Sequence, residues 1–218
     1  TTIITSDTTD LTNGGLTLAD ATSLTVKLAS SSGGASTAEF TAAVLAPAKA
    51  TSITLGGSDI DATTGVGYVG KIDVATLTAA SATTLTLNTD QGDIDLDTVT
   101  AAKLATVTVT GDNALAFGTT GATTTALATF DAAAATGAIT IGQAVDFTSS
   151  ATVTTGSGSD SITIDVLTEG GVGIDTGEKT AASPDSDTLL IAGANNMGVT
   201  VINLSAADQI SQLNGALN

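Results

Sequence analysis

A short pattern recurs four times in the first half of the chain. Each copy begins with a leucine or valine and, eight residues later, reaches the first apolar residue of a Ser/Thr–apolar–Thr–apolar segment. The four segments are Ser23–Val26, Ser52–Leu55, Thr84–Leu87 and Thr106–Val109. This alternation places the apolar residues on one face of a strand and the hydroxyl residues on the other. The chain is therefore predicted to consist of repeated strand-sized units.

The repeated units predict an all-β fold whose strands coil as a parallel β-solenoid, of the β-helix or β-roll type. A composition of 44 Thr and 37 Ala, with 2% aromatic residues, suits a thin coil in which each rung packs on similar neighbours. The residues that lead the copies, Leu16, Leu45, Leu77 and Val99, are 29, 32 and 22 residues apart, which predicts one or two rungs between copies. An antiparallel β-sandwich is the alternative.

The organisation along the chain is expected to be continuous. Residues 1–150 are predicted to form the solenoid body, with an N-terminal strand. Residues 151–218 are predicted to continue the coil with glycine-rich turns, a strand and a short C-terminal helix. Ser205 and Asp208 would form the capping box of this helix, which would cover the open end of the coil.

The charge balance excludes several functions. The chain has 19 Asp, three Glu and five Lys, no Arg, and a formal net charge of −17. Such a field repels nucleic acid, and no apolar run approaches the roughly 20 residues that would insert into a membrane. Without His, Cys or Arg, the nucleophile–base pairs of most hydrolases cannot be built, so the protein is predicted not to be an enzyme. Aspartate does supply hard oxygen ligands for divalent cations.

Glycine- and aspartate-rich stretches in the second half carry the most specific local pattern. They span residues 155–162 and 170–175, and residues 185–189 keep the aspartate and the apolar residue two positions later. Glycine permits a tight turn, aspartate supplies charge, and the apolar residue anchors the next strand. Ordinary Gly/Asp turns are the alternative. The candidate metal-binding residues here are Gly156, Gly158, Asp160, Gly171, Gly173, Asp175, Asp185 and Asp187.

These stretches resemble the glycine-rich nonapeptide of RTX-type repeats, which binds Ca²⁺ in a parallel β-roll. More broadly, the chain resembles the Ca²⁺-dependent β-solenoid proteins of bacterial surface layers and secreted adhesins, also in the segments 129–141 and 153–164. The resemblance implies Ca²⁺ as the bound ion. It also implies a secreted protein, located outside the cell or at the bacterial cell surface.

A second acidic cluster lies in residues 90–97. Alternation puts Asp93, Asp95 and Asp97 on one face of a strand, with neighbours about 7 Å apart. Like charges at this spacing need a cation or full solvation, and both interpretations remain open.

The function that these observations favour is structural. We expect a secreted subunit that self-assembles into a homo-oligomeric surface layer or extracellular filament, with Ca²⁺ relieving the repulsion between acidic copies. The first strand, Thr1, Thr2, Ile3, Ile4 and Thr5, would add to the exposed sheet edge of a neighbour.

Two alternatives remain. One is a Ca²⁺-dependent adhesin module that binds a cell-surface glycan. The other is an ice-binding solenoid, since stacked Ser/Thr-x-Thr segments would form a regular hydroxyl array. Lys27 and the acidic strands between copies are expected to interrupt that array.

Overall fold

Within the part of the chain that the structure describes, the regular structure is entirely β-strand, arranged in two parallel sheets. The computed structural model describes residues 1–4, 11–28, 39–58, 70–142, 145–165, 171–177, 185–192, 199–203 and 206–212. The first sheet has nine strands in the spatial order β1 (Thr2–Ile4), β4 (Ser23–Leu28), β7 (Ser52–Ser58), β9 (Thr84–Asn88), β11 (Thr106–Gly111), β13 (Leu127–Ala135), β15 (Phe147–Thr154), β17 (Val172–Asp175) and β19 (Val199–Ile202).

The second sheet lies on the other side of the core. It contains eleven strands, in the order β2 (Leu11–Asn13), β5 (Glu39–Ala42), β8 (Gly70–Thr78), β10 (Gly92–Thr100), β12 (Leu115–Thr123), β14 (Ile139–Ile141), β16 (Ser161–Asp165), β18 (Thr188–Ala192) and β20 (Gln209–Gln212), with β3 (Leu16–Thr17) and β6 (Leu45–Ala46) beside the first of them.

The prediction of a parallel β-solenoid is confirmed. From β7 onward the chain alternates between the two sheets, and each strand pairs with the strand that lies one turn away in the same sheet. Every strand pair among the described residues is parallel, so the alternative of an antiparallel sandwich is wrong. A coil imposes this arrangement because each complete turn returns the chain to the same sheet in the same direction.

The four repeat copies occupy adjacent strands. Ser23 pairs with Ser52, Ser52 with Thr84, and Thr84 with Thr106. Successive copies are therefore one rung apart at each spacing, within the predicted one or two, because a spacing of 22 residues already contains one strand of each sheet and completes a turn. The two longer spacings contain the segments 29–38 and 59–69, which lie outside the described residues.

The core is the thin space between the two sheets. It is filled by the inward Val, Ile, Leu and Ala side chains of the alternating strands, together with a few phenylalanines. The rings of Phe117 and Phe130 meet edge to face, with centroids 5.7 Å apart and an interplanar angle of 64°. One inward column of the second sheet is apolar over four successive strands: Ile72, Ile94, Leu115 and Ile139.

The predicted C-terminal helix is wrong. Residues 206–207 form a turn, and Gln209–Gln212 form β20, which pairs with β18. The Asp208 carboxylate accepts a hydrogen bond from the Asp187 N–H in the neighbouring rung. Ser205 lies outside the described residues. Backbone pairing with an exposed strand edge explains the outcome, since it offers more hydrogen bonds than one helical turn. The described residues also contain no helix that could cross a membrane.

Candidate metal centre

The apolar column of the second sheet changes to aspartate in its last three strands. Ser161 pairs with Thr140, Thr188 with Ser161, and Gln209 with Thr188. The residues that directly precede these four positions therefore stack in the same order, so Ile139 is followed by Asp160, Asp187 and Asp208. Asp160 and Asp187 are each 2% exposed, whereas Asp208 is half-buried.

Hydrogen bonds from one rung to the next hold these three carboxylates in place. Asp160 Oδ1 accepts the Ile139 N–H at 2.8 Å, and Asp187 Oδ1 accepts the Asp160 N–H at 2.8 Å. Asp208 Oδ1 accepts the Asp187 N–H at 3.0 Å. The short side chain of aspartate reaches the amide of the preceding rung, so each carboxylate has one oxygen in the ladder.

A fourth carboxylate completes a triad at this end of the coil. Asp185 lies two residues before Asp187, faces inward with it and is 5% exposed. One carboxylate oxygen each from Asp185, Asp187 and Asp208 lie within 4.8 Å of one another. We call Asp160, Asp185, Asp187 and Asp208, together with the buried Thr155, the acidic seam.

The acidic seam contains most of the unsatisfied buried polar atoms of the described residues. Thr155 Oγ1 and the Oδ2 atoms of Asp160, Asp185 and Asp187 are buried and make no hydrogen bond; the fifth such atom, Asp95 Oδ1, lies elsewhere. Leaving a buried polar group unpaired costs about 1–3 kcal/mol, and more when the group is charged. Oxygen atoms are the ligands that hard cations prefer. Two of the four oxygens belong to the triad, whose carboxylates could hold a metal ion.

Burial alters the protonation of the seam in the absence of metal. Desolvation raises the pKa of Asp160 to about 7, although the nearby Thr155 hydroxyl and the Ile139 N–H oppose the rise. Desolvation likewise raises the pKa of Asp187 to about 6, and the charges of Asp185 and Asp208 add to the rise. Protons and metal ions therefore compete for the same oxygens.

The glycines of the predicted motif allow close stacking of the backbone. A Cβ atom on Gly156 would clash with the Ala135 carbonyl oxygen, and one on Gly158 would lie 2.3 Å from the Gly137 carbonyl oxygen. Glycine is required here because the neighbouring rung occupies the space of a side chain.

The other half of the predicted site lies on the opposite sheet. Asp175 ends β17, where its Oδ1 accepts hydrogen bonds from the Gly177 N–H at 3.1 Å and the Asn203 Nδ2 at 2.7 Å. Gly173 is in the same strand and Gly171 directly precedes it. The structure therefore brings together Asp160, Asp185 and Asp187, and it places Asp175 on the opposite sheet, where its carbonyl oxygen accepts a hydrogen bond from the Thr155 N–H at 2.8 Å.

The second acidic cluster lies on the outward face of the coil, as alternation predicts. Asp93 is exposed and accepts a hydrogen bond from the Ala114 N–H at 2.9 Å. The Lys71 ammonium lies 3.1 Å from the Asp73 carboxylate and 3.6 Å from that of Asp95. Burial and the charge of Asp97 raise the pKa of Asp95. The Lys71 ammonium therefore already neutralises part of the negative charge of this cluster.

Asp208 is the site residue that sequence reasoning missed. The signal was present, because Asp160, Asp187 and Asp208 each stand two residues before an apolar strand residue. Only the first two were linked to a motif, since Asp208 stands in the segment that is predicted to begin a helix.

Comparison of the chain with known proteins finds no matching family model, no matching curated protein and no matching solved structure.

Proposed function

We propose that this protein is a secreted structural protein that self-assembles into a surface layer or extracellular filament, with Ca²⁺ bound in the acidic seam. The observation that carries the proposal is the buried triad with its unpaired oxygens, set in an otherwise apolar coil. A scaffold whose last turns contain buried carboxylates has a built-in requirement for a cation. The sequence resemblance to surface-layer and RTX-type proteins supports the extracellular setting, where Ca²⁺ is abundant.

The ligand chemistry favours Ca²⁺ over other divalent ions. The chain has no His and no Cys, so the imidazole and thiolate ligands that zinc and copper prefer are missing throughout. Mg²⁺ demands near-ideal octahedral geometry and keeps several waters. Ca²⁺ accepts six to eight oxygens in irregular geometry, which suits carboxylates presented by successive rungs of a sheet.

The two ends of the coil offer strand edges that support the proposal of self-assembly. Among the described residues, the outermost strands β1 and β19 of the first sheet, and β2 and β20 of the second, have strand neighbours on one side only. Head-to-tail stacking of another copy would continue both sheets in the parallel sense and generate a linear filament. The Thr1–Thr5 strand remains the proposed contact: Thr2–Ile4 form β1, and Thr5 lies outside the described residues.

Electron microscopy of the purified protein tests this function. Ordered sheets or fibres are expected with excess Ca²⁺, and they should disperse when a chelator is added, because repulsion between copies of net charge −17 is restored. Asp187→Asn should weaken assembly, whereas Asp90→Asn, which removes the same charge from an exposed turn, should not. Assemblies that persist after the chelator is added would contradict the role of Ca²⁺. Monodisperse rods would favour the adhesin module instead.

One observation favours ice binding as a second candidate. The acidic strand β10 lies in the second sheet and so does not interrupt the hydroxyl array, although Asp131 of β13 pairs with Thr108 and ends one part of the array. Lys27 pairs with Ile4 beside the array. On the first sheet one column runs through six successive strands: Ser23, Ser52, Thr84, Thr106, Thr129 and Thr152. A second column runs beside it through five: Thr2, Thr25, Thr54, Thr86 and Thr108.

A freezing assay distinguishes this candidate from the scaffold. If the array binds ice, the protein shows thermal hysteresis, and Thr86→Lys in the middle of the array should remove most of it. Thr188→Lys, on an exposed position of the second sheet, is the matched control and should have no effect. Absence of hysteresis in the unmodified protein would eliminate this role and leave the scaffold unaffected.

A further inference from the structure

Asp160 belongs to the acidic seam but not to the triad. It lies one rung from Asp187, about 4.8 Å along the sheet, and its N–H donates to the Asp187 carboxylate. Its own Oδ2 is buried and unpaired, as is the nearby Thr155 Oγ1. The Thr155 hydroxyl lies within reach of the Asp160 carboxylate, so these two oxygens lie together, outside the group formed by Asp185, Asp187 and Asp208.

The number of carboxylates in the seam also indicates a second ion. The seam carries four carboxylates, three of them at most 5% exposed, and when all four are ionised one divalent cation would neutralise only two. The residual negative charge would remain in a poorly solvated interior, where like charges repel strongly. Two divalent cations would balance the four carboxylates.

We infer that the seam binds two Ca²⁺ ions in file along the coil axis. The outer ion is held by Asp185, Asp187 and Asp208, and the inner ion by Asp160 and Thr155, with Asp187 between the two ions. Carboxylates that bridge neighbouring metal ions are common in two-metal sites. This inference rests on the proposed function, since it concerns the same seam and the same ion.

Equilibrium dialysis with Ca²⁺ tests the number of ions. The experiment uses the full chain in about 0.15 M salt, which suppresses diffuse binding to the acidic surface. We expect two tightly bound ions in the unmodified protein and in Asp90→Asn. Asp160→Asn keeps an oxygen that can accept the Ile139 N–H but loses the charge, so it should bind one. Thr155→Val replaces the hydroxyl group with a methyl group and should raise the dissociation constant of one of the two ions at least tenfold.

The possible results of the dialysis distinguish the inner site from the proposed function on which it rests. One tight ion in the unmodified protein, unchanged in Asp160→Asn, would overturn the inner site and leave the Ca²⁺-stabilised scaffold intact. Two ions in both proteins would place the second ion elsewhere and equally overturn it. No tight ion in any protein would contradict both the inner site and the Ca²⁺ requirement of the proposed function. Circular dichroism of each variant confirms that the strands are retained.

Discussion

Without metal, the protein is expected to become more stable as the pH falls from about 8 to about 5. The native pKa values of Asp160, about 7, and Asp187, about 6, lie above the ordinary aspartate value of 3.8. Groups with raised native pKa values stabilise the fold when protonated, and this contribution is lost as the pH rises through 6 to 7. At about 1.4 kcal/mol per pKa unit, the two groups together contribute on the order of 4 kcal/mol between about pH 5 and about pH 8.

Urea unfolding in the presence of a chelator measures the effect. The double variant Asp160→Asn/Asp187→Asn should show a much flatter pH profile, and it should be more stable than the unmodified protein at pH 8, because two buried charges are removed. Excess Ca²⁺ should reverse the slope for the unmodified protein, since protons then displace a stabilising ligand. A chelated protein that loses stability towards pH 5, as most proteins with paired carboxylates do, would contradict the buried and unpaired state of these groups.

The solenoid could be predicted because its cause is local. Alternation with a period of two decides which residues face inward, and recurrence of the same unit decides that each rung packs on a similar one. The structure shows both effects, since Leu24 pairs with Ile53, and Ile53 with Leu85, at equivalent inward positions. Parallel pairing then follows from the coil itself.

Which aspartates meet in the metal centre depends on the number of residues in each turn of the coil, and the motif alone does not reveal that number. In this half of the coil a full turn takes 21 residues from Thr140 to Ser161 and 27 from Ser161 to Thr188. Asp160 and Asp187, 27 residues apart, therefore stack on each other. Asp175, only 15 residues after Asp160, falls on the opposite sheet although its local motif is the better match. Measuring aspartate spacings against the turn length would have paired them correctly.

The prediction of a C-terminal helix is wrong for a different reason. Ile210 and Leu213 are three residues apart, and two apolar residues cannot distinguish a helical period from a strand period. Tertiary pairing decided the outcome, because β18 presents an edge with which residues 209–212 pair in register. The same pairing brings Asp208 beside Asp187, which joins the third carboxylate to the triad.

Ca²⁺ is expected to stabilise the end of the coil that contains the seam while leaving the rest nearly unchanged. In a solenoid each turn contacts only its neighbours, so the effect of a ligand falls off with distance along the axis. At a Ca²⁺ concentration of about one hundred times the dissociation constant, binding contributes about 2.7 kcal/mol, which corresponds to about hundredfold slower amide exchange. This slowing should appear in Thr188–Ala192 and Gln209–Gln212, and it should be small or absent in Gly70–Thr78.

Hydrogen exchange followed by mass spectrometry, with and without a chelator, resolves these segments. Asp187→Asn should abolish the Ca²⁺-dependent slowing, whereas Asp90→Asn should keep it. Without Ca²⁺, Asp187→Asn should exchange no faster than the unmodified protein, because it removes a buried charge and retains an oxygen for the Asp160 N–H. Faster exchange of the chelated variant would mean that the substitution disrupts the fold. Uniform slowing along the whole coil, or slowing confined to Gly70–Thr78, would place the stabilising ion outside the acidic seam.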